Sequence, residues 1–215
     1  MGHNAAAGRR EGADPLGVRA GTCDWRTALP VLRGAGVTLR GLDDRDAASL
    51  WAHIGNPNCG RFMVGAPRSL EQLQRFLRWS REQQRHGQLV CYGVVPVGHH
   101  MPVGVIQLWS VESDFATAEW GFVVGETYWG TGLFGQSATV LLNFAFGTLG
   151  VRRLEARSVD INERANAALR RLGATFEGVL REGFFDGTDT HDHLMWSLLA
   201  REWLARQSRR DRVAI

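Results

Sequence analysis

The sequence predicts a mixed α/β domain. Three observations carry this: helix-period and strand-period segments follow one another along the chain, three apolar strands run consecutively through its middle, and no second core or internal repeat appears. The 215 residues, 44% hydrophobic and 22% charged, suffice for one globular domain with a real core, and are too few for two ordinary ones. Collagen-like, coiled-coil and disordered classes are excluded by ordinary apolar content and by Gly and Pro without period.

Residues 1–33 are rich in Gly, Ala and Arg and read as a flexible or loosely docked extension, 34–207 as the domain, and 208–215 as a basic tail. The first strand covers 37–40. Asp43 and Asp44 then open a helix carrying Ala47, Leu50, Trp51 and Ile54 at helical spacing, and Asn56-Pro57 stops it. Ser69 with Gln72 three residues on forms a capping-box pairing for a second helix. That helix buries Leu73, Phe76 and Leu77, and Gly87 closes it. Segments 89–95, 102–110 and 115–124 are rich in Val, Ile, Trp and Phe and read as three antiparallel strands. After a glycine-rich turn, 135–146 is apolar nearly all round, as suits a helix buried on a sheet. A strand at 153–159, a helix at 162–172 ended by Gly173, and strands near 175–181 and 193–199 complete the order β-α-α-β-β-β-α-β-α-β-β.

Composition removes several chemistries. All 25 Lys-plus-Arg cations are arginine, so a lysine Schiff base or a Walker-type phosphate lysine is excluded. Cys23, Cys59 and Cys91 lie far apart without a C-x-x-C spacing, and no metal site is expected. The N-terminus lacks the apolar stretch of a signal peptide and a complete myristoylation pattern, and no apolar run approaches the ~18 residues of a membrane span. A reduced, cytoplasmic protein without membrane contact is the expectation. Residues 1–40 carry six arginines against three acids and 201–215 carry five against two, so the net charge of +3 belongs to the ends. The mildly acidic body suits a cationic amine better than nucleic acid.

The most informative segment is Tyr128-Trp129-Gly130-Thr131-Gly132-Leu133-Phe134-Gly135, between a strand and a buried helix. Clustered glycines there let successive backbone N–H groups turn toward one point beside the positive end of a helix, an arrangement suited to phosphate or pyrophosphate. A plain tight turn needs the same glycines. A dinucleotide-binding fingerprint is excluded by context, because the turn follows three antiparallel strands.

This turn resembles the acetyl-coenzyme-A loop of the GNAT superfamily of N-acetyltransferases, in particular its RimJ/RimL-like branch. The strand before it reads Glu119-Trp120-Gly121-Phe122, similar to that branch's Glu-x-Gly-aromatic pattern. Asn162 leads the next helix to Leu172-Gly173-Ala174, and the closing Glu202-Trp203 also looks like that branch. The resemblance covers about 37–203. It implies a GNAT-type fold, a central mostly antiparallel sheet with helices on both faces, that transfers acetyl from acetyl-CoA to a primary amine. Two departures stand out. Trp129 and Phe134 occupy loop positions usually held by Gln or Arg and by Gly or Ala, and Ala165 and Leu169 stand where some relatives place a Ser or Tyr acid.

Amine acetylation requires loss of the amine proton, a donor for the developing oxyanion and departure of the thiolate. By resemblance, backbone N–H groups at Phe122, Val123 and Val124 face the thioester, and Trp129, Gly130, Thr131, Gly132, Leu133, Phe134 and Gly135 hold the pyrophosphate. Arg164, Arg170 or Arg171 would meet the outer phosphate, unless each only solvates a helix face. Glu119 is the first candidate base, or else a solvated or structural strand residue; Asp160 is the second, or an Asx cap. Asn162 binds the pantetheine arm or simply caps its helix.

Other clusters point elsewhere. His191 and His193 share a strand face but lack a third metal ligand, and His99-His100 sits in a hairpin turn. Arg75, Arg78, Arg81 and Arg85 share a helix side that either contacts nucleic acid or pairs with Glu71 and Glu82 in solvent. The acceptor is expected to be a protein or peptide amine, N-terminal or side-chain. A small-molecule amine such as an antibiotic or polyamine, or a non-catalytic acyl-CoA-binding module, is the alternative, and a homodimer is compatible with the chain.

Overall fold

The computed structural model describes residues 24–213; the readings made of 1–23, Cys23 included, lie outside the described residues. Eight strands form one sheet: β1 (Leu32–Arg33), β2 (Val37–Gly41), β3 (Leu89–Pro96), β4 (Gly104–Ser110), β5 (Thr117–Val124), β6 (Arg153–Val159), β7 (Thr175–Phe185) and β8 (Thr190–Leu199), in the order β1-β2-β3-β4-β5-β6-β8-β7. Every pairing is antiparallel except β5 with β6. A parallel pair needs a crossover, supplied here by α4 (Leu133–Phe144).

The remaining helices are α1 (Ala47–Ile54), α2 (Pro57–Gly60), α3 (Leu70–Arg85), α5 (Glu163–Leu172) and α6 (Ala200–Val213). Side-chain alternation sorts the strands' residues to two faces. Leu89, Cys91, Val105 and Val123 pack beneath Leu50, Leu73 and Leu77 of α1 and α3. Val90, Tyr92, Ile106, Leu108 and Trp120 join Leu141 and Leu142 of α4, Leu169 of α5 and Trp203 of α6 on the other. Helices on both faces of a mostly antiparallel sheet are thus observed.

Several boundaries differ from the sequence reading, each for a local reason. Asn56 does more than stop α1: its side chain accepts from Cys59 N–H at 3.0 Å and starts α2, with Pro57 in the first turn. Ser69 Oγ accepts from Gln72 N–H at 3.2 Å, but Gln72 Oε1 accepts from Arg68 N–H, so the reciprocal arm of the capping box is displaced by one residue. The buried helix begins at Leu133, two residues earlier than its apolar run, because Gly132 at φ 84° is its N-cap. The last helix, α6, runs through the stretch read as a basic tail, while β1 and a turn at 24–33 occupy the end of the stretch read as an extension.

Candidate active site

Pairing between β5 and β6 stops early. Thr117, Ala118 and Glu119 lie opposite Arg153, Leu154 and Glu155, after which β5 continues to Val124 and β6 to Val159 without pairing to each other. β6 instead stays with β8, Val159 opposite His193. A V-shaped opening therefore starts at Glu119. Thr117 accepts from Val111 and Glu112 on the β4 side, and Ala116 accepts from Arg152 and Arg153 on the β6 side. Alternation then turns the N–H groups of Trp120, Phe122 and Val124 into the opening. Of the three N–H groups expected to face the thioester, Val123 is the exception, since alternation directs it toward β4.

The glycine turn closes the wide end of the V. Gly130 and Gly132 have φ of 78° and 84°, the left-handed region that side chains avoid, and a Cβ built on either would meet nothing within 4 Å. Thr131 Oγ1 donates to Tyr128 O at 2.8 Å and accepts from Leu133 N–H, which tightens the turn. No acceptor among the described residues meets the N–H groups of Gly130, Gly132, Phe134 or Gly135, and Gly132 caps α4 without a side-chain partner. Free donors over open space at a helix N-terminus fit an anion of pyrophosphate type. The bulky Phe134 leaves that space clear. Its ring turns back onto β5, 3.9 Å from Phe122 and 6.0 Å from Trp120 between centroids.

Trp129 fastens the turn to the strand. Its Nε1 donates to Val124 O at 3.0 Å, and Cys59 Sγ donates to the same oxygen at 3.6 Å. Arg164, at the start of α5, places Cζ 3.3 Å from the centroid of the Trp129 ring, so the guanidinium expected at an outer phosphate lies against the indole. Burial pushes the Cys59 thiol up, and Cys91 up to about 12, so neither resembles an activated nucleophile.

Glu119 lies where the strands part, half-buried, with Oε1 3.6 Å from Arg157 Nε. Burial raises its carboxyl above the ordinary carboxylate range, Arg157 pulls it back, and Glu155 raises it further. Asp160 is not brought to this point. It sits about 16 Å along β6 from Glu155 by strand rise, and its Oδ1 accepts from Ile161 N–H at 2.8 Å as a local cap. Asn162 is an N-cap, accepting from Ala165 N–H at 3.2 Å.

Sequence reasoning missed two residues that shape this region. Asn166 is buried; it accepts from Ser158 Oγ and from Trp196 Nε1 at 3.1 Å and donates to Val159 O and Asp160 O, tying α5 to β6 and β8. An Asn inside a helix carries no signal of burial. Arg157 was missed because strand alternation alone does not show that it reaches Glu119. The remaining clusters resolve simply. His191 and His193 both pack on Phe184, His191 also meeting Asp186 at 3.3 Å. On α3, Arg75 pairs with Glu71, whereas Arg81 pairs with Asp44 at 2.8 Å rather than with Glu82. No helix among the described residues is long and apolar enough to cross a membrane.

Comparison with known proteins bears on this geometry. The family model described as an acetyltransferase (GNAT) domain matches residues 37–175. The N-acetyltransferase YoaA of Bacillus subtilis (strain 168) is 23% identical over 185 residues, covering 80% of this chain and 97% of its own. The [ribosomal protein uS5]-alanine N-acetyltransferase of Escherichia coli (strain K12) is 23% identical over 123 residues, covering 57% of this chain and 63% of its own. Among solved structures, RimL, the ribosomal L7/L12 α-N-protein acetyltransferase in complex with coenzyme A, superimposes with a TM-score of 0.71 at 20% identity, covering 79% of this chain and 98% of its own.

Proposed function

The chain belongs to the GNAT acetyltransferase family, an N-acetyltransferase using acetyl-CoA and an amine acceptor, and on that premise we propose that its acceptor is the N-terminal amine of a protein or peptide. The observation that carries the reading is the coincidence of three features at one opening: unpaired β5 N–H groups, a donor-rich glycine turn and the half-buried carboxylate of Glu119. The similarity to two acetyltransferases of ribosomal proteins supports a protein acceptor.

Acetyl-CoA supplies the acetyl group as a thioester. The N–H groups of Gly130, Gly132, Phe134 and Gly135 would hold its pyrophosphate, and Trp129, with Thr131 and Leu133, keeps the turn in place. The N–H groups of Phe122 and Val124 are directed at the opening, where one of them would polarise the thioester carbonyl. Glu119 accepts the amine proton, directly or through water, because its carboxyl is raised toward the working range by burial. Asp160, whose Oδ1 accepts from Ile161 N–H, is engaged as a local cap and is not assigned the proton. Asn162 and Asn166 position the start of α5, and with it Arg164 beside the turn.

The test is an assay of thiol release and peptide mass with acetyl-CoA and a panel of free and N-terminally blocked peptides. Transfer to free peptides and none to blocked ones, side-chain lysines included, supports the reading. Transfer only to polyamines or other small amines would place the enzyme in a different substrate class.

A further inference from the structure

The sheet face beneath α1 and α3 is only half covered. The residues packed there come from β3, β4 and β5, whereas on β6 and β8 the same face mixes Arg153, Glu155, Arg157, Ser197 and His193 with Val159, Met195 and Leu199, and these last residues belong to no cluster under α1 and α3. Glu119 stands on the border. Toward β4 its cross-strand neighbour is Trp109, which packs on Trp79 of α3 with centroids 5.1 Å apart. That side is an uncharged aromatic wall. Toward β6 lie Glu155 and Arg157, and beyond them Arg153 and His193.

The two arginines of β6 are in opposite states. Arg153 is fully engaged: its Nε donates to Glu155 at 2.8 Å and its terminal nitrogens clasp Glu177, which also accepts from Ser197 at 2.6 Å. Arg157 makes no hydrogen bond among the described residues. Its side chain is 46% exposed, and its nearest carboxylate is Glu119 at 3.6 Å. A guanidinium is a planar fork of five donors shaped for a carboxylate, and here that fork is open to solvent. Glu119 and Arg157 together make an opposite-charge pair where the V begins to open, matched to a ligand with an amine and an anion a few bonds apart.

Resting on the acetyltransferase reading of this opening, we propose that Arg157 selects the acceptor by binding a carboxylate close to the reacting amine, as in a peptide whose first or second residue is acidic. While the amine faces Glu119, the aromatic wall leaves the carboxylate to the β6 side, where among the described residues Arg157 is the cation paired with Glu119. Arg153 is unavailable because both its acidic partners hold it.

The experiment uses the full chain with acetyl-CoA and paired peptides bearing Asp or Asn at the first or second position, with glycine and glycinamide as a free amino-acid arm. The expected result is a kcat/KM at least tenfold higher for the Asp member of a pair. Arg157→Gln should collapse that ratio toward one, mainly through KM, and Arg157→Glu should invert it in favour of a Lys-bearing peptide. Equal rates within each wild-type pair, or a ratio that survives in Arg157→Gln, would overturn the assignment. A preference for glycine over glycinamide with no preference among peptides would overturn the peptide source. Saturation-transfer NMR with the acetylated Asp and Asn peptides and coenzyme A reads recognition apart from turnover. Binding of the Asp member that vanishes in Arg157→Gln, without any acetylation, sinks the catalytic reading and keeps this one; acetylation without any Asp preference does the reverse.

Discussion

The guanidinium of Arg164 sits over the indole of Trp129, Cζ 3.3 Å from the ring centroid, while the indole Nε1 donates to Val124 O at 3.0 Å. A chain of contacts thus runs from β5 through the glycine turn to the first turn of α5, across the opening where β5 and β6 separate. Cation–π contacts of this kind contribute about 0.5–2 kcal/mol. Trp129→Ala should therefore weaken acetyl-CoA binding by roughly tenfold, and Trp129→Phe, which keeps the ring and loses the donor, by less. Calorimetric titration with acetyl-CoA checks this; an unchanged affinity in Trp129→Ala would show that the turn holds its shape without the indole.

Gly132 is at φ 84° with open space before it, so an alanine there is strained rather than crowded. Left-handed backbone costs a residue with a Cβ about 1–2 kcal/mol. Gly132→Ala should lower the melting temperature by a few degrees and weaken acetyl-CoA binding, because relief of the strain turns the donors away. Thermal melts with and without acetyl-CoA separate the two effects.

With Glu119 as the proposed base, its raised carboxyl should set the acid side of the pH–rate profile. A base works deprotonated, so kcat/KM should rise with pH through a midpoint above the ordinary carboxylate range. Glu119→Gln should abolish that limb and slow turnover by about 10²–10⁴-fold. A folded-state pKa above the unfolded one means that the ionised group opposes folding, so Glu119→Gln should melt no lower than wild type at neutral pH. Arg157→Gln removes the charge that pulls the carboxyl down, and should move the limb to higher pH.

Glu177 behaves in the opposite sense. Arg153, then Ser197, hold its carboxyl down from 4.5 to about 2. Its folded pKa lies below the unfolded value, so its contribution is fully present above pH 4.5 and is lost as pH falls toward 2. Acid titrations followed by circular dichroism should show Glu177→Gln less stable than wild type at neutral pH and the difference shrinking through that window.

Asn166 supplies the remaining structural test. Alanine there strips partners from the Ser158 hydroxyl, the Trp196 indole and the buried Val159 carbonyl, and from the part-buried carbonyl of Asp160. An unpaired buried polar group costs about 1–3 kcal/mol, so Asn166→Ala should destabilise the fold by at least that much. Denaturant unfolding measures it.

Much of the fold was legible in periodicity. Strands β3, β4, β5 and β6 lie within two residues of their apolar segments, and Ser69, Gly87, Asn162 and Gly173 mark helix ends as their capping chemistry dictates. The C-terminal helix was not legible, because α6 is so rich in arginine that its apolar stripe is faint; Trp203 anchors it in the core. At the site, the glycine turn and Glu119 stand out locally, by residue type and spacing. The Glu119–Arg157 pair does not, since it depends on a parallel pairing between strands joined by a crossover helix. Likewise, whether Phe134 blocks the turn depends on Phe122 and Trp120, twelve and fourteen residues earlier, offering their rings as its support.

A crystal structure with coenzyme A bound would show whether the opening between β5 and β6 is the acetyl-transfer site. The pyrophosphate is expected against the N–H groups of Gly130, Gly132, Phe134 and Gly135, the pantetheine arm between β5 and β6, and the thiol end near Glu119. Coenzyme A held elsewhere, with the opening between β5 and β6 closed by side chains, would contradict it.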